Sequence, residues 1–250
     1  MRVEVVWHDL ECGAYDADLP LWRELAGAVA GPVLDVGAGT GRVSLDLARR
    51  GVAVVALDAE ASLLAALEHR ATGLPVLTVV ADARQFTLPR RFSLVLVPMQ
   101  TLQMLGGPAG RAALMRRARA HLEPGGLLAV AIADAMDCFD EEHPMPPPPA
   151  EREVLGARYS SQLLTVIEED GRAAIHRRRA IIGPGERYQA VENVVRLDRI
   201  TADEVAAEGA QLGFLNAPHR VIPETEEYLG SIVVVLRAPM RTSAHVVPEP

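Results

Sequence analysis

The chain has 250 residues, 49% hydrophobic and 23% charged, so it can bury a substantial core and is excluded from the disordered class. All 25 basic residues are arginine; without lysine, Schiff-base chemistry, a Walker-type phosphate loop and the usual protein-kinase machinery are excluded. A net charge of -8 argues against nucleic acid as a partner, and two cysteines, Cys12 and Cys138, make neither a disulfide framework nor a zinc site.

No metal site is therefore expected. The N-terminus lacks the apolar core of a signal peptide and no apolar run reaches membrane-spanning length, so the expectation is a cytoplasmic protein with no membrane partner. In chain order, residues 21–29 read as an amphipathic helix carrying Trp22. Five strands are predicted at 33–36, 52–57, 76–80, 92–97 and 127–132, each nearly continuous in Val, Leu, Ile and Ala, as befits parallel strands covered on both faces. Helical spacing lies between them, at Leu63, Leu64 and Leu67 and at Leu114, Met115, Ala118 and Leu122. An acidic run (Asp134, Asp137, Asp140, Glu141, Glu142) and a proline run through Pro149 then read as an extended connector. Strand-like stretches follow at 159–168, 173–182 and 186–197, joined by turns at Asp170-Gly171 and Gly183-Pro184-Gly185. A helix begins at Thr201 and ends at Gly213, two last strands fall at 215–222 and 231–237, and 240–250 reads as a flexible tail. The fold class is α/β: a doubly wound, mostly parallel seven-stranded sheet in one domain over 1–250, with a small antiparallel sheet inserted at 150–200.

The most informative stretch is VLDVGAGTGR, residues 33–42, between the first strand and first helix. Glycines there admit a ligand to the backbone, and the helix start offers free N–H groups. The dinucleotide fingerprint G-x-G-x-x-G would require a third glycine at position 42, where the chain has Arg42; the spacing here is G-x-G-x-G through Gly37, Gly39 and Gly41, preceded by Asp35. Asp58 ends the second strand, Asp82 follows the third, and the fourth runs out through Pro98, Met99 and Gln100. Any one of these carboxylates could cap neighbouring backbone or face solvent. Three at the ends of successive strands, beside such a loop, point to a ligand at the sheet edge where open α/β folds bind them.

Over residues 35–132 this pattern resembles the class I S-adenosylmethionine-dependent methyltransferases. The resemblance implies S-adenosyl-L-methionine as cofactor, held by Asp35, Gly37, Gly39 and Gly41, by Asp58 with Ala59 at the ribose hydroxyls, and by Asp82 with Ala83 at the adenine. It implies that Met99 and Gln100 line the meeting point of cofactor and substrate, and that Tyr15 folds over the cofactor; Trp22 reads as core. Gln100 and Gln103 are the leading substrate contacts, with His143 a further candidate, and His8 and His143 are possible bases, but no catalytic residue is assigned. The implied reaction is methyl transfer to an N or O atom of a small molecule by in-line displacement. A methyltransferase acting on RNA or protein, or a non-catalytic module of the same fold, is the alternative. The inserted sheet resembles the lid of amino-sugar and amino-acid N-methyltransferases and is a possible homodimer contact. By alternation Arg177 and Arg179 share one face of its middle strand and Arg178 the other; anion binding is open to them, but a solvated strand edge is the first reading.

Overall fold

A computed structural model describes residues 2–133, 148–183, 187–225, 228 and 230–240. Two helices, α1 (Val3–Cys12) and α2 (Leu19–Gly27), precede the sheet. The apolar runs then form β1 (Val33–Val36), β2 (Val54–Asp58), β3 (Val76–Val80), β4 (Phe92–Val97) and β5 (Leu122–Ile132), alternating with α3 (Arg42–Arg49), α4 (Ala61–Arg70) and α5 (Pro108–His121). The chain continues through α6 (Ala202–Gln211), β10 (Leu215–Asn216), β11 (Arg220–Ile222) and β12 (Ser231–Arg237), and the sheet runs β10-β12-β5-β4-β1-β2-β3. The five central strands are parallel and β12 is antiparallel to β5.

Alternation within the strands builds two cores. Leu34, Val36, Val95, Val97, Leu128 and Val130 pack with Leu114, Met115 and Val205 of α5 and α6. Val33, Leu94, Leu96, Ala129 and Ala131 pack with Trp22 and Leu25 of α2 and Val43 and Leu47 of α3. Both faces of β4 are covered, so all six of its residues are buried.

The predicted strand at 215–222 is two strands. Pro218 offers no N–H, the ladder breaks there, and β10 and β11 each pair with β12, giving eight strands in seven positions. The inserted sheet has four strands rather than three: β6 (Ala150–Val154), β7 (Ala157–Glu169), β8 (Arg172–Ile182) and β9 (Tyr188–Asp198), in that spatial order. The first hairpin turns on Leu155 and Gly156, both at positive φ (50° and 76°), the backbone of a tight hairpin turn. Asp170 and Gly171 make the predicted second turn with φ of 51° and 74°, and Gly183 donates its N–H to the Arg187 carbonyl at 2.9 Å across the third. Because β8 lies between β7 and β9, the arginine triplet is not on a sheet edge, and the first reading of it fails.

Helix α1, which the sequence pattern does not mark, is one of the pieces that join the main sheet's domain to the inserted sheet. Trp7 packs edge-on against Tyr159 of β7 with centroids 5.2 Å apart, Asp9 pairs with Arg70 of α4 and with Arg152 of β6, and Glu11 takes Arg179 of β8.

Candidate functional site

The loop after β1 turns through Gly37 and Gly39 at φ 76° and 54°. A Cβ on Gly37 would lie 2.6 Å from the Thr101 hydroxyl, and one on Gly39 would overlap the His8 ring at Nε2, so space as well as backbone angle favours glycine. Gly41, also left-handed at 96°, delivers the chain into α3. The Gly39 N–H donates to Asp58 Oδ2 at 2.8 Å, and the Glu60 N–H donates to Oδ1 at 2.9 Å, which fixes the carboxylate at the end of β2.

Asp35 is 1% exposed. Ser44 donates its hydroxyl to Oδ2 at 2.6 Å, while Oδ1 is buried with no partner. Burial pushes its carboxyl up to about 6, against the Ser44 bond and the Arg42 charge, which act the other way. Asp82 behaves oppositely: its carboxylate accepts from the backbone and guanidinium of Arg84, which hold it below the ordinary range. Burial lowers the His8 imidazole below its usual value, outweighing the nearby carboxylates of Asp58 and Asp9, so the ring is neutral at physiological pH. It lies 3.2 Å from the Thr40 hydroxyl. Arg42 donates to both oxygens of Asp18 and, at 2.9 Å, to the Tyr15 carbonyl, with its guanidinium 5.0 Å from the Tyr15 ring centroid.

These groups surround a cavity of about 660 Å³, within the size range of small-molecule and cofactor sites. Tyr15, Asp35, Gly37, Asp58, Ala59, Asp82, Ala83, Met99 and Gln100 all line it; Gly39 and Gly41 shape the loop without reaching its wall. Met99 sits at φ 53°, a strained angle for a side-chain-bearing residue, at the turn where β4 gives way to the 3-10 turn Thr101–Met104. The roof comes from α1, through His8, Glu11 and Cys12, and from the inserted sheet, through Leu163, Val166, Ile175, Arg177, Val195 and Leu197. A second hollow of about 910 Å³ on the opposite edge, lined by Arg91, Arg116 and Arg119, contains none of the motif residues. Chemistry belongs to the first, because it sits at the carboxyl ends of the parallel strands.

Gln103 needs correction as a substrate contact. It is 1% exposed and outside the cavity wall. Its Oε1 accepts from the Ala133 N–H at 2.9 Å, and Nε2 donates to the carbonyls of Ala133 and Asp198 at 3.1 and 3.0 Å, clamping the end of β5 to the end of β9. His143 and Cys138, the acidic run, the tail 241–250 and all of the proline run except Pro148 and Pro149 lie outside the described residues. Sequence reasoning missed Arg42 as a wall residue, although an arginine directly after the third glycine was a signal. It also missed α1 and the apolar wall of the inserted sheet, where alternation was legible but the direction of the face was not. Among the described residues no group of His, Cys, Asp or Glu is arranged to hold a metal, and no helix is long and apolar enough to cross a membrane.

Residues 33–126 match the family described as a methyltransferase domain, a stretch that takes in the glycine loop and the strands around it. The cypemycin N-terminal methyltransferase of a Streptomyces species is 36% identical over 108 residues, 43% of this chain and 42% of that protein; the chain thus matches less than half the length of this curated relative. A sugar N-methyltransferase from Streptoalloteichus superposes with a TM-score of 0.73 at 19% identity, over 95% of this chain and 93% of that one. An S-adenosylmethionine-bound amino pentose methyltransferase from Micromonospora echinaspora gives 0.70 at 21%, over 95% and 98%. At these identities the two structures establish a shared fold.

Proposed function

We propose that this chain, whose residues 33–126 match a methyltransferase domain, moves a methyl group from S-adenosyl-L-methionine to a nitrogen of a small molecule. The observation that carries the cofactor assignment is Asp35: a buried carboxylate with one oxygen unpartnered in a cavity wall is costly, and the cationic ammonium group on the amino-acid end of the cofactor is the donor it fits. Asp58 fits a vicinal diol, since each of its oxygens accepts one backbone N–H and keeps a lone pair for a hydroxyl donor. Asp82 and Ala83 line the cavity, which is compatible with the adenine contact the resemblance implies for them, with Arg84 occupying the carboxylate. When bound, the cofactor supplies an electrophilic methyl group on a sulfonium sulfur. The protein's part is to present the acceptor beside Met99 and Gln100 and to exclude water under α1 and the four-stranded sheet, which serves as a lid.

Nitrogen is favoured over oxygen by the state of the wall. Glu11 is paired with Arg179, burial pushes the Cys12 thiol up to about 11, and His8 packs against the loop at Gly39, on the Asp58 side. An amine that arrives unprotonated needs no base, whereas a hydroxyl generally does. The relative named as a cypemycin N-terminal methyltransferase and the structures named as an amino pentose methyltransferase and a sugar N-methyltransferase support the same reading. A cytoplasmic location and exclusion of nucleic acid belong to this reading, the first supported by the sparse cysteines and the second by the acidic charge balance; a homodimer through the lid is supported by the exposed Tyr188 and Val191 on its edge strand β9.

Calorimetry with S-adenosylmethionine and S-adenosylhomocysteine tests the assignment. The wild type is expected to bind both, and Asp58→Ala to lose at least tenfold in affinity. No binding by the wild type, or unchanged affinity in the variant, refutes it.

A further inference from the structure

The three consecutive arginines of β8 have three different surroundings. Arg179 is held bidentately by Glu11 at 2.6 and 2.7 Å beside the Trp7 ring, and Arg178 is exposed on the opposite face. Arg177 lines the cavity and has no carboxylate partner among the described residues. The other two arginines of that wall are neutralised, Arg42 by Asp18 and Arg84 by Asp82. Glu11 is committed to Arg179 and Ser161.

Register shows what lies around Arg177. It is flanked by Leu163 on β7 and Asn193 on β9, and the next row on the same face is Val166, Ile175 and Val195. Leu197 continues this apolar wall. Asn193, directly across from Arg177, buries its Oδ1 without a partner. An unmatched guanidinium therefore sits at the end of an apolar surface, beside an amide oxygen that accepts hydrogen bonds and takes no part in holding an anion. A guanidinium presents a planar fork that fits a carboxylate or phosphate through two parallel bonds, and a half-buried setting strengthens that attraction.

We propose that Arg177 recognises an anionic group, a carboxylate or phosphate, on the methyl acceptor, whose apolar body lies along Leu163, Val166, Ile175, Val195 and Leu197. The acceptor is then an amine with an anionic end, and Arg177 sets specificity by selecting it. The proposal rests on the methyltransferase reading.

Calorimetry with hexanoate, hexyl phosphate and hexanamide, on the full chain with and without S-adenosylhomocysteine, tests it. At least one anion is expected to bind tenfold or more tightly than the neutral amide, and the tighter of the two identifies the carboxylate or the phosphate as source. Arg177→Gln is expected to abolish the difference, with Arg177→Lys retaining part of it and Arg178→Gln all of it, while affinity for S-adenosylhomocysteine stays the same throughout. Equal or absent binding of anions by the wild type, or a preference that survives Arg177→Gln, overturns the proposal. Should Arg177→Gln fail to fold, Arg177→Met takes its place under the same criteria. Failure of the wild type to bind S-adenosylhomocysteine sinks the methyltransferase reading instead, and the unliganded series still reads Arg177.

Discussion

Asp35→Asn separates the stability of the empty site from its function. Asp35 is almost fully enclosed, so the displacement of its carboxyl from 3.8 to about 6 converts to folding energy without a large solvent discount. The gap corresponds to about 3 kcal/mol. Its sign follows from proton counting: as pH rises past 3.8 the unfolded chain releases the proton first, so stability present below that value is lost up to about pH 6 and is not regained above it. Asparagine carries no charge to desolvate and can still accept from Ser44, although that bond loses its charge-assisted part, worth about 1 kcal/mol. The unliganded variant is thus expected to be about 2 kcal/mol more stable than wild type at pH 7.5, raising Tm by about 4 to 8 °C, with most of the gain gone at pH 4. Affinity for S-adenosylmethionine is expected to fall at least tenfold in the same variant, and wild-type affinity to weaken as pH drops below about 6, where the carboxyl is protonated. Urea unfolding at the two pH values, paired with calorimetry, checks all three. A variant less stable than wild type at pH 7.5, or one equally stabilised at both pH values, would refute the claim that Asp35 is a strained, unpaired charge awaiting a cation.

Gln103→Ala is expected to cost about 3 kcal/mol or more in urea unfolding, because it strands three backbone groups at Ala133 and Asp198, with cofactor affinity within about threefold of wild type. Loss of acceptor binding with unchanged stability would instead make Gln103 a substrate contact. Glu11→Gln weakens the Arg179 and Ser161 contacts and is expected to speed hydrogen exchange in α1 at least tenfold, with the amides of β4 and β5 unaffected; uniform protection in both proteins would show that α1 is held by Trp7 and Asp9 alone.

The half of the cavity proposed for the cofactor was legible because its determinants are local. Gly37, Gly39 and Gly41 are required by backbone angles at one turn, and Asp35, Asp58 and Asp82 are placed by their position at the ends of strands whose apolar runs read directly as buried. The acceptor half was not. Whether Arg177 faces a cavity or water depends on how the lid is oriented against the main sheet, and that is set by contacts such as Arg179 with Glu11, 168 positions apart. Helix α1 escaped notice because its buried residues, Val5, Val6 and Trp7, are consecutive instead of spaced at helical intervals, being covered from two sides. Gln103 was misassigned for a related reason: an amide beside a substrate strand reads as a ligand contact, and its three partners lie 30 and 95 residues away.

The missing lysines have a structural counterpart in how the layers are joined. Arg23 with Asp46, Arg42 with Asp18, Arg70 with Asp9, Arg111 with Glu208, Arg179 with Glu11 and Arg220 with Glu24 each bring a guanidinium onto a carboxylate between different elements. A guanidinium fork fixes orientation as well as distance, which an ammonium group on a flexible stem does not. Two of these pairs, Arg70 with Asp9 and Arg179 with Glu11, fix α1 to α4 and to the lid respectively, and Arg42 with Asp18 anchors the segment that carries Tyr15. The same short stretch of chain therefore roofs the side that Asp58 and Gly39 occupy and the side that Arg177 occupies. Glu11→Gln is therefore expected to change S-adenosylhomocysteine affinity in calorimetry although Glu11 is none of the groups assigned to the cofactor, and an unchanged affinity would show that the two sides of the roof act independently.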